Sequence, residues 1–368
     1  MTIGIIGSRG YPYIYSGYET FISELAPRLV QRGHTVKVYC HRGLFQVRPP
    51  TVKGVKLIYI PALEKKVFSQ FTHSFLATIH ACISSTDILL YVNSANGPFG
   101  LFTKIARKRT AINVDGLEWL RPKWKGLGRR YFWLASYLST KLFDAIISDS
   151  ERMSEIYQKE FGSSSITIAY GANIGHSTNP QTLNQWTLTP GEYYLIVGRL
   201  VPDNNANVII EGFTRSPSRK KLVILGDVPY RDKYAQSIRR TDDARVVFLG
   251  YIRDPNALRE LYCNAFVYIH GHEYGGTNPS LLNALGNGCC ILALDTSFNR
   301  EVLSDERFGL YFQKSPESVC RMIERLESDG EAVNRLKQNS RSRILERYAW
   351  EHITDQYEDL FNDMRSGH

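Results

Sequence analysis

Four stretches of this chain combine residue types that chemistry uses. Gly7-Ser8-Arg9-Gly10-Tyr11-Pro12 follows a short apolar run, and Ser16-Gly17-Tyr18-Glu19-Thr20 opens a helical stretch. A glycine-rich turn running into a helix N-terminus offers N–H groups and a positive dipole end to an anion, and Arg9 adds a bidentate cation. A plain structural turn fits the same residues, and the compact G-x-G-x-x-G spacing of dinucleotide sites is absent. In Asn113-Val114-Asp115-Gly116-Leu117-Glu118-Trp119, two acids share a turn after a strand. Asp115 or Glu118 could orient or deprotonate a hydroxyl, or Asp115 could cap a helix with Glu118 completing a capping box. In the second half, Arg199 follows an apolar run within Gly198-Arg199-Leu200-Val201-Pro202-Asp203-Asn204-Asn205. It suits either a phosphate clamp or a surface ion pair. The fourth stretch runs from His270-Gly271-His272-Glu273 through Gly275-Gly276-Thr277-Asn278-Pro279 to Gly288. Gly275 and Gly276 let backbone approach a ligand, Thr277 or Asn278 can cap, and Pro279 fits a first helical position. That is a prepared diphosphate site at a helix N-terminus, with Asn283 projecting from the first turns.

Each stretch must be held by regular elements, and the apolar pattern supplies them. Short runs rich in Ile, Val and Tyr recur at 3–6, 35–40, 56–60, 88–92, 111–114, 145–148 and 166–170, with helical stretches between. Strand and helix alternation with near-continuous apolar strands predicts a parallel sheet covered on both faces. Phe21, Leu25 and Leu29 form a helical stripe that Gly33 closes. Periodicity is lost at 171–191, which reads as an interdomain linker. Alternation then resumes at 193–197, 222–225, 246–249, 265–269 and 290–294. The expectation is an α/β chain of two Rossmann-like, doubly wound domains: residues 1–175 joined by a returning C-terminal helix at 350–368, and residues 190–348. Two such domains facing each other would bring the carboxyl ends of both sheets to one central cleft.

The chain carries 45 Lys and Arg against 36 Asp and Glu over 368 residues, a net charge of +9. From Lys104 to Arg130 nine basic residues (Lys104, Arg107, Lys108, Arg109, Arg121, Lys123, Lys125, Arg129 and Arg130) face only Asp115 and Glu118, so most of the excess sits here. Trp119, Trp124 and Trp133 accompany them, and Lys65-Lys66-Val67-Phe68 with Phe71 and Phe75 repeats the chemistry. Cations interleaved with aromatics suit an anionic membrane interface, a single-stranded nucleic acid, or a solvated basic face over ordinary core. Six scattered cysteines show no metal-ligand or disulfide spacing. No apolar run approaches the roughly 18 residues of a membrane-spanning helix. A cytoplasmic location is the expectation, peripheral to the inner face of the membrane if the basic aromatic stretch binds lipid.

Taken together these motifs resemble a family 4 retaining glycosyltransferase of the two-Rossmann, GT-B type, in a bacterial branch that includes rhamnosyltransferases of cell-surface polysaccharide assembly. The residues carrying it are the Gly7 to Pro12 turn with Gly17-Tyr18-Glu19-Thr20, the 113–119 stretch, Tyr170-Gly171-Ala172, Gly198 to Pro202 and Gly275 to Pro279. The resemblance implies that Arg9, Gly10 and Gly17 lie over the donor diphosphate and that Arg199 neutralises it. It also implies that Gly275, Gly276, Thr277 and Asn278 meet the donor sugar and distal phosphate. Asp115 would orient the acceptor hydroxyl, with Glu118 beside it. Three positions depart from the family pattern: Asn204 stands where a Lys is usual, and Gly275 and Asn283 stand where two Glu are usual. Contact to the sugar would then come from backbone, Thr277, Asn278, His272 or Glu273, and Asn283 would offer the ribose a neutral hydrogen bond. The donor implied is a nucleoside diphosphate sugar, and the acceptor a glycan or a polyprenyl-diphosphate-linked sugar. No metal or other cofactor is required, since no Asp-x-Asp pair ends a strand, and no nucleic acid is expected. An inactive nucleotide-sugar or glycan-binding protein of the same fold is the alternative.

Overall fold

The computed structural model describes residues 1–12, 17–63, 68–121, 124–228 and 232–367. The chain divides into two units, 1–170 with 350–368 and 171–349. In the first unit the strands are β1 (Thr2–Ile6), β2 (Thr35–His41), β3 (Thr51–Val52), β4 (Val55–Ile60), β5 (Ile88–Val92), β6 (Arg109–Asn113), β7 (Ala145–Ser148) and β8 (Ile166–Thr167). Its helices are α1 (Gly17–Gln31), α2 (Ser69–Ile83), α3 (Gly100–Ile105), α4 (Leu127–Leu142) and α5 (Glu151–Phe161). The second unit carries β9 (Tyr193–Val197), α6 (Ala206–Arg215), β10 (Lys221–Leu225), α7 (Lys233–Ile238), β11 (Val246–Gly250), α8 (Pro255–Cys263), β12 (Val267–His270), α9 (Pro279–Gly286) and β13 (Ile291–Leu294). It ends with α10 (Ser297–Leu303), β14 (Leu310–Phe312), α11 (Pro316–Ser328) and α12 (Gly330–Arg343). The last helix, α13 (Trp350–Ser366), belongs to the first unit.

Both sheets have the same winding. The first runs β3-β4-β2-β1-β5-β6-β7-β8 and the second β11-β10-β9-β12-β13-β14. Every pairing is parallel except β3 with β4. Strand order reverses between β1 and β5 and between β9 and β12, and these reversals are the places where open α/β sheets accept ligands, beyond the carboxyl ends of the strands. The runs that read as continuous apolar strands are buried throughout β5, β12 and β13, as helices on both faces require.

The helical stripe is also present: Phe21, Ile22, Leu25, Ala26 and Leu29 are fully buried. Phe21 packs on Tyr170, Trp350 and Tyr357, with ring centroids 5.3, 6.3 and 5.4 Å apart. α13 is further tied to the turn between α1 and β2 by Arg32 on Asp355 (2.6 Å) and Glu358 (2.8 Å), and by His34 on Glu358 (2.7 Å).

The stretch 171–191 is not a free linker. Leu183 and Leu188 are buried, and the buried Glu260 of α8 accepts bonds from Ser177 Oγ (2.6 Å), Thr178 N (2.7 Å) and Asn179 N (2.9 Å). Its polar composition is spent on a carboxylate 81 to 83 residues away, so the second unit begins at Gly171. β3 and β14, with two and three residues, are too short to have a readable period.

Candidate functional site

In the first unit, the end of β6 and the end of β7 bring two carboxylates together. Asp115 is half-buried and Asp149 is fully buried. The Asp115 Oδ2 accepts from the Tyr170 hydroxyl at 2.8 Å, and its carbonyl accepts from the Tyr18 hydroxyl at 2.9 Å. Asp149 lies within side-chain hydrogen-bonding reach of Asp115. Burial pushes the Asp115 carboxyl above its ordinary value, while the bonds from Tyr170 and Asp149 and the nearby Arg121 pull the other way. Two adjoining carboxyls of this kind titrate as a pair. Burial first, and then the Asp115 charge, drives Tyr18 and Tyr170 well above the ordinary tyrosine range, so both remain proton donors. Asn113 fixes the turn from below: its Oδ1 accepts from Asp115 N (3.1 Å) and its Nδ2 donates to Tyr357 Oη (3.1 Å). The returning helix α13 therefore braces the Asp115 turn. Asp149, Tyr18 and Tyr170 reach Asp115 from distant positions, and the local sequence signal for Asp149 is the strand-end Ser148-Asp149-Ser150.

Two expectations for this unit are corrected. The capping box does not form: Leu117, not Asp115, precedes the short 3-10 turn Glu118–Leu120, with no side-chain cap. Glu118 instead pairs with Arg121 at 3.1 Å and accepts from Trp124 Nε1 at 2.7 Å. The glycine turn is closed rather than open to an anion. The amide of Arg9 donates to the buried Glu19 carboxylate (2.8 Å), that of Gly10 to Ser8 Oγ (3.2 Å), and that of Tyr11 to Cys40 Sγ (3.5 Å). Gly10 is needed because its φ is +122° and a Cβ there would stand 2.8 Å from Cys40 Cβ. Gly17 opens α1 with Glu19 in the first turn, and that carboxylate is turned onto the Arg9 amide. Ser16 of this motif lies outside the described residues, as do the Lys65-Lys66-Val67 cluster and Lys123.

In the second unit the loops after β9 and β12 meet at the reversal of strand order. Asn205 Nδ2 donates to Gly271 O (2.9 Å), Glu273 N donates to Asp203 O (3.1 Å), and a Cβ on Gly198 would stand 2.8 Å from His272 Cε1. The loop after β10 closes on the same point, since Gly226 has φ +109° and a Cβ there would stand 2.1 Å from Gly198 O. Arg199 extends from this knot with an exposed side chain that forms no ion pair among the described residues. Its carbonyl is fixed by Asn204 Nδ2 (2.8 Å) and Val201 N (2.9 Å). Asn204, nearly buried, thus supports the loop that carries the cation.

Asn278 caps α9, accepting from Ser280 N (2.9 Å) and Ser280 Oγ (2.8 Å), with Pro279 in the first turn. Gly275 has φ +120°, which favours glycine. Gly276 and Thr277 are buried beside it. Asn283 lies half-buried on α9, and its side chain makes no protein hydrogen bond among the described residues. Glu273 is not a free sugar contact: its carboxylate pairs with Lys314 at 2.5 Å. Neutral His270, its proton affinity lowered far below the ordinary value by burial, stacks on His272 with centroids 4.4 Å apart. No group of three or more His, Cys, Asp or Glu side chains among the described residues is placed to hold a metal.

This geometry has relatives. Across the whole of both chains the fold matches sucrose-phosphate synthase of Thermosynechococcus elongatus, at a TM-score of 0.85 and 17% identity. It also matches the Anabaena protein HepE in complex with UDP-glucose, at 0.78 and 13% over 98% of this chain and 99% of that one. The fold is therefore the GT-B fold, two parallel-sheet α/β domains, that these structures share. Residues 183–343 match the family described as glycosyl transferases group 1, and residues 1–173 match a domain of unknown function, DUF1972.

Among related sequences, O-antigen chain mannosyltransferase C of Escherichia coli is 22% identical over 96% of each chain. An uncharacterized glycosyltransferase of Methanocaldococcus jannaschii, MJ1607, is 25% identical over 45% of this chain and 44% of its own length. The N-acetylgalactosamine-N,N'-diacetylbacillosaminyl-diphospho-undecaprenol 4-alpha-N-acetylgalactosaminyltransferase of Campylobacter jejuni is 28% identical over 34% of each. The matches to these last two thus span less than half of those relatives.

Proposed function

We propose that the protein transfers a hexose, a deoxyhexose such as rhamnose, from a nucleoside diphosphate to a hydroxyl of a lipid-linked glycan in cell-surface polysaccharide synthesis, with retention at the anomeric carbon. The observation that carries this reading is the knot of loops after β9, β10 and β12 within the group 1 region, which carries Arg199 and joins it to the loop that leads into the capped α9. The acceptor oxygen bonds to the anomeric carbon as the bond from that carbon to the diphosphate oxygen breaks. The electron pair leaves with the diphosphate, which takes the acceptor proton on the same face. Arg199 and the α9 N-terminus stabilise the leaving charge, and no divalent ion enters the scheme. Asp115 accepts a hydrogen bond from the acceptor hydroxyl and orients it. HepE with UDP-glucose and the diphospho-undecaprenol transferase support the donor and acceptor classes.

A thermal-shift series with UDP-, GDP-, dTDP- and ADP-sugars tests the donor. One nucleotide class is expected to raise the midpoint, since a ligand at 100 times its Kd adds about 2.7 kcal/mol to the native state. No response to any of them would remove the reading. If a nucleotide sugar binds but no nucleoside diphosphate is released with any acceptor, the protein is a binder of the same fold.

The reading places the protein on the inner face of the membrane, at an anionic surface. No described helix is long and apolar enough to cross a bilayer. α3 packs between α2 and α4, and this row exposes Phe71, Ile83, Leu101, Ile105 and Leu134. Lys104, Arg107 and Lys108 lie in and beside α3. Apolar side chains rimmed by cations suit a bilayer interface. In vesicle flotation, the protein is expected to rise with anionic vesicles and to be released by salt; equal binding to zwitterionic vesicles would refute the electrostatic part.

A further inference from the structure

We infer that a cavity of about 590 Å³ at the start of α4 is a binding site for a prenyl diphosphate. It opens between the Glu118–Leu120 turn, α4 and α5, away from the Asp115 carboxylates, and nothing in the scheme above uses it. Trp119, Leu120, Trp133 and Ile156 supply apolar wall, and Arg129 and Arg130 supply two guanidiniums. The combination is unusual in that neither arginine is neutralised. Arg121 nearby is paired with Glu118 at 3.1 Å, but Arg129 and Arg130 form no ion pair among the described residues, although Glu160 lines the same cavity. The tryptophans are held as rigid panels: Trp119 packs edge-on against Tyr157 (6.0 Å) and Phe161 (5.7 Å), and Trp133 packs on Tyr137 (5.9 Å) and Phe161 (5.6 Å).

A preformed aromatic wall with two adjacent forked cations has a matching chemistry. Guanidiniums bind diphosphate oxygens in paired, charge-assisted bonds, and flat indoles accept a linear hydrocarbon without losing rotamer freedom. A soluble sugar phosphate would leave the exposed Trp133 wetted, and a neutral lipid would leave two arginines without a counter-charge. Leu120 in the cavity wall is 44% exposed, and on the α4 that lines the cavity Leu127 and Leu134 are 81% and 48% exposed, so the chain of a longer lipid leaves the cavity over apolar surface. The choice of a prenyl chain over other apolar tails rests on the lipid-linked acceptor proposed above.

The test is quenching of tryptophan fluorescence in the full-length protein by farnesyl diphosphate, inorganic diphosphate and farnesol. Farnesyl diphosphate is expected to bind at least tenfold more tightly than either of the others. The double variant Arg129→Gln/Arg130→Gln, two exposed positions whose change leaves packing intact, should lose at least tenfold of that affinity. Inorganic diphosphate binding as tightly as farnesyl diphosphate would reduce the cavity to an anion site. Equal binding of farnesol would reduce it to an apolar one, and undiminished binding by the variant would place the ligand elsewhere. Each of these three results overturns the proposal. Stabilisation by nucleotide sugars is read separately on the same variant: its absence in the parent protein sinks the transferase reading while leaving the prenyl diphosphate site standing, and the reverse pattern sinks only the site.

Discussion

Replacing Asp115 with Asn is expected to lower kcat by about 10²-fold while leaving stabilisation by the nucleotide sugar unchanged. The size is that of misplacing a reacting hydroxyl by about 1 Å. Asn has the same shape and keeps the bond from Tyr170, but a neutral amide is a weaker acceptor for the incoming hydroxyl than a carboxylate. The variant should fold. Asp115 has its folded proton affinity raised above the ordinary 3.8, with burial as the largest cause. A carboxyl shifted this way contributes stability that is fully present below 3.8 and is lost as pH rises through the folded value. At neutral pH Asn therefore removes a cost rather than a bond, and the melting midpoint should stay or rise. Loss of turnover without loss of stability separates a site role from a packing role.

The same shift sets the pH profile. The ionised form of Asp115 does the accepting, so kcat falls on the acid side at a pH above the usual carboxylate range. Asp149→Ala removes a hydrogen bond that favours the ionised form, and the acid limb should move further up. An unchanged limb in that variant, or unchanged turnover in Asp115→Asn, removes the assigned roles.

What the sequence disclosed was whatever has a local period or a local chemical signature. The fully buried strands β5 and β12 are continuous apolar runs, α1 is a stripe at i, i+4 and i+8, and the α9 start is spelled by Asn278-Pro279. Bonds that join distant positions leave no such mark. Asp115 and Asp149 stand 34 residues apart and meet because β6 and β7 are neighbours in register. Asn113 finds Tyr357 across 244 residues. The 171–191 stretch looked like a linker because the carboxylate that orders it, Glu260, lies on another helix. The glycine turn misled for a different reason. Its N–H groups are real donors, but the acceptors are Glu19, Ser8 and Cys40. Glu19 in the first turn of the following helix was the visible warning, since an acid there competes with any anion for the same dipole. Asn204 was the converse case: where a cation was missing, the asparagine holds the loop of the cation that remains.

That remaining cation makes the second large effect. Arg199→Ala is expected to reduce kcat/KM by about 10² to 10³-fold, the 2.7–4 kcal/mol that one preorganised donor to a developing negative charge supplies. Two features make Arg199 such a donor. Its carbonyl is tied twice, by Asn204 Nδ2 and Val201 N, so the loop does not have to order when the diphosphate leaves. Its side chain has no competing carboxylate among the described residues, so no ion pair has to break first. Arg199→Lys keeps the charge but loses the fork, and should recover only part of the rate. Asn204→Ala should fall between parent and Arg199→Ala, because it loosens the loop without removing the charge. The loss should appear in kcat more than in KM, since the charge on the leaving oxygen grows toward the transition state. Steady-state rates of nucleoside diphosphate release measure all three variants. A wild-type kcat/KM for Arg199→Ala would move the diphosphate away from the β9 loop altogether.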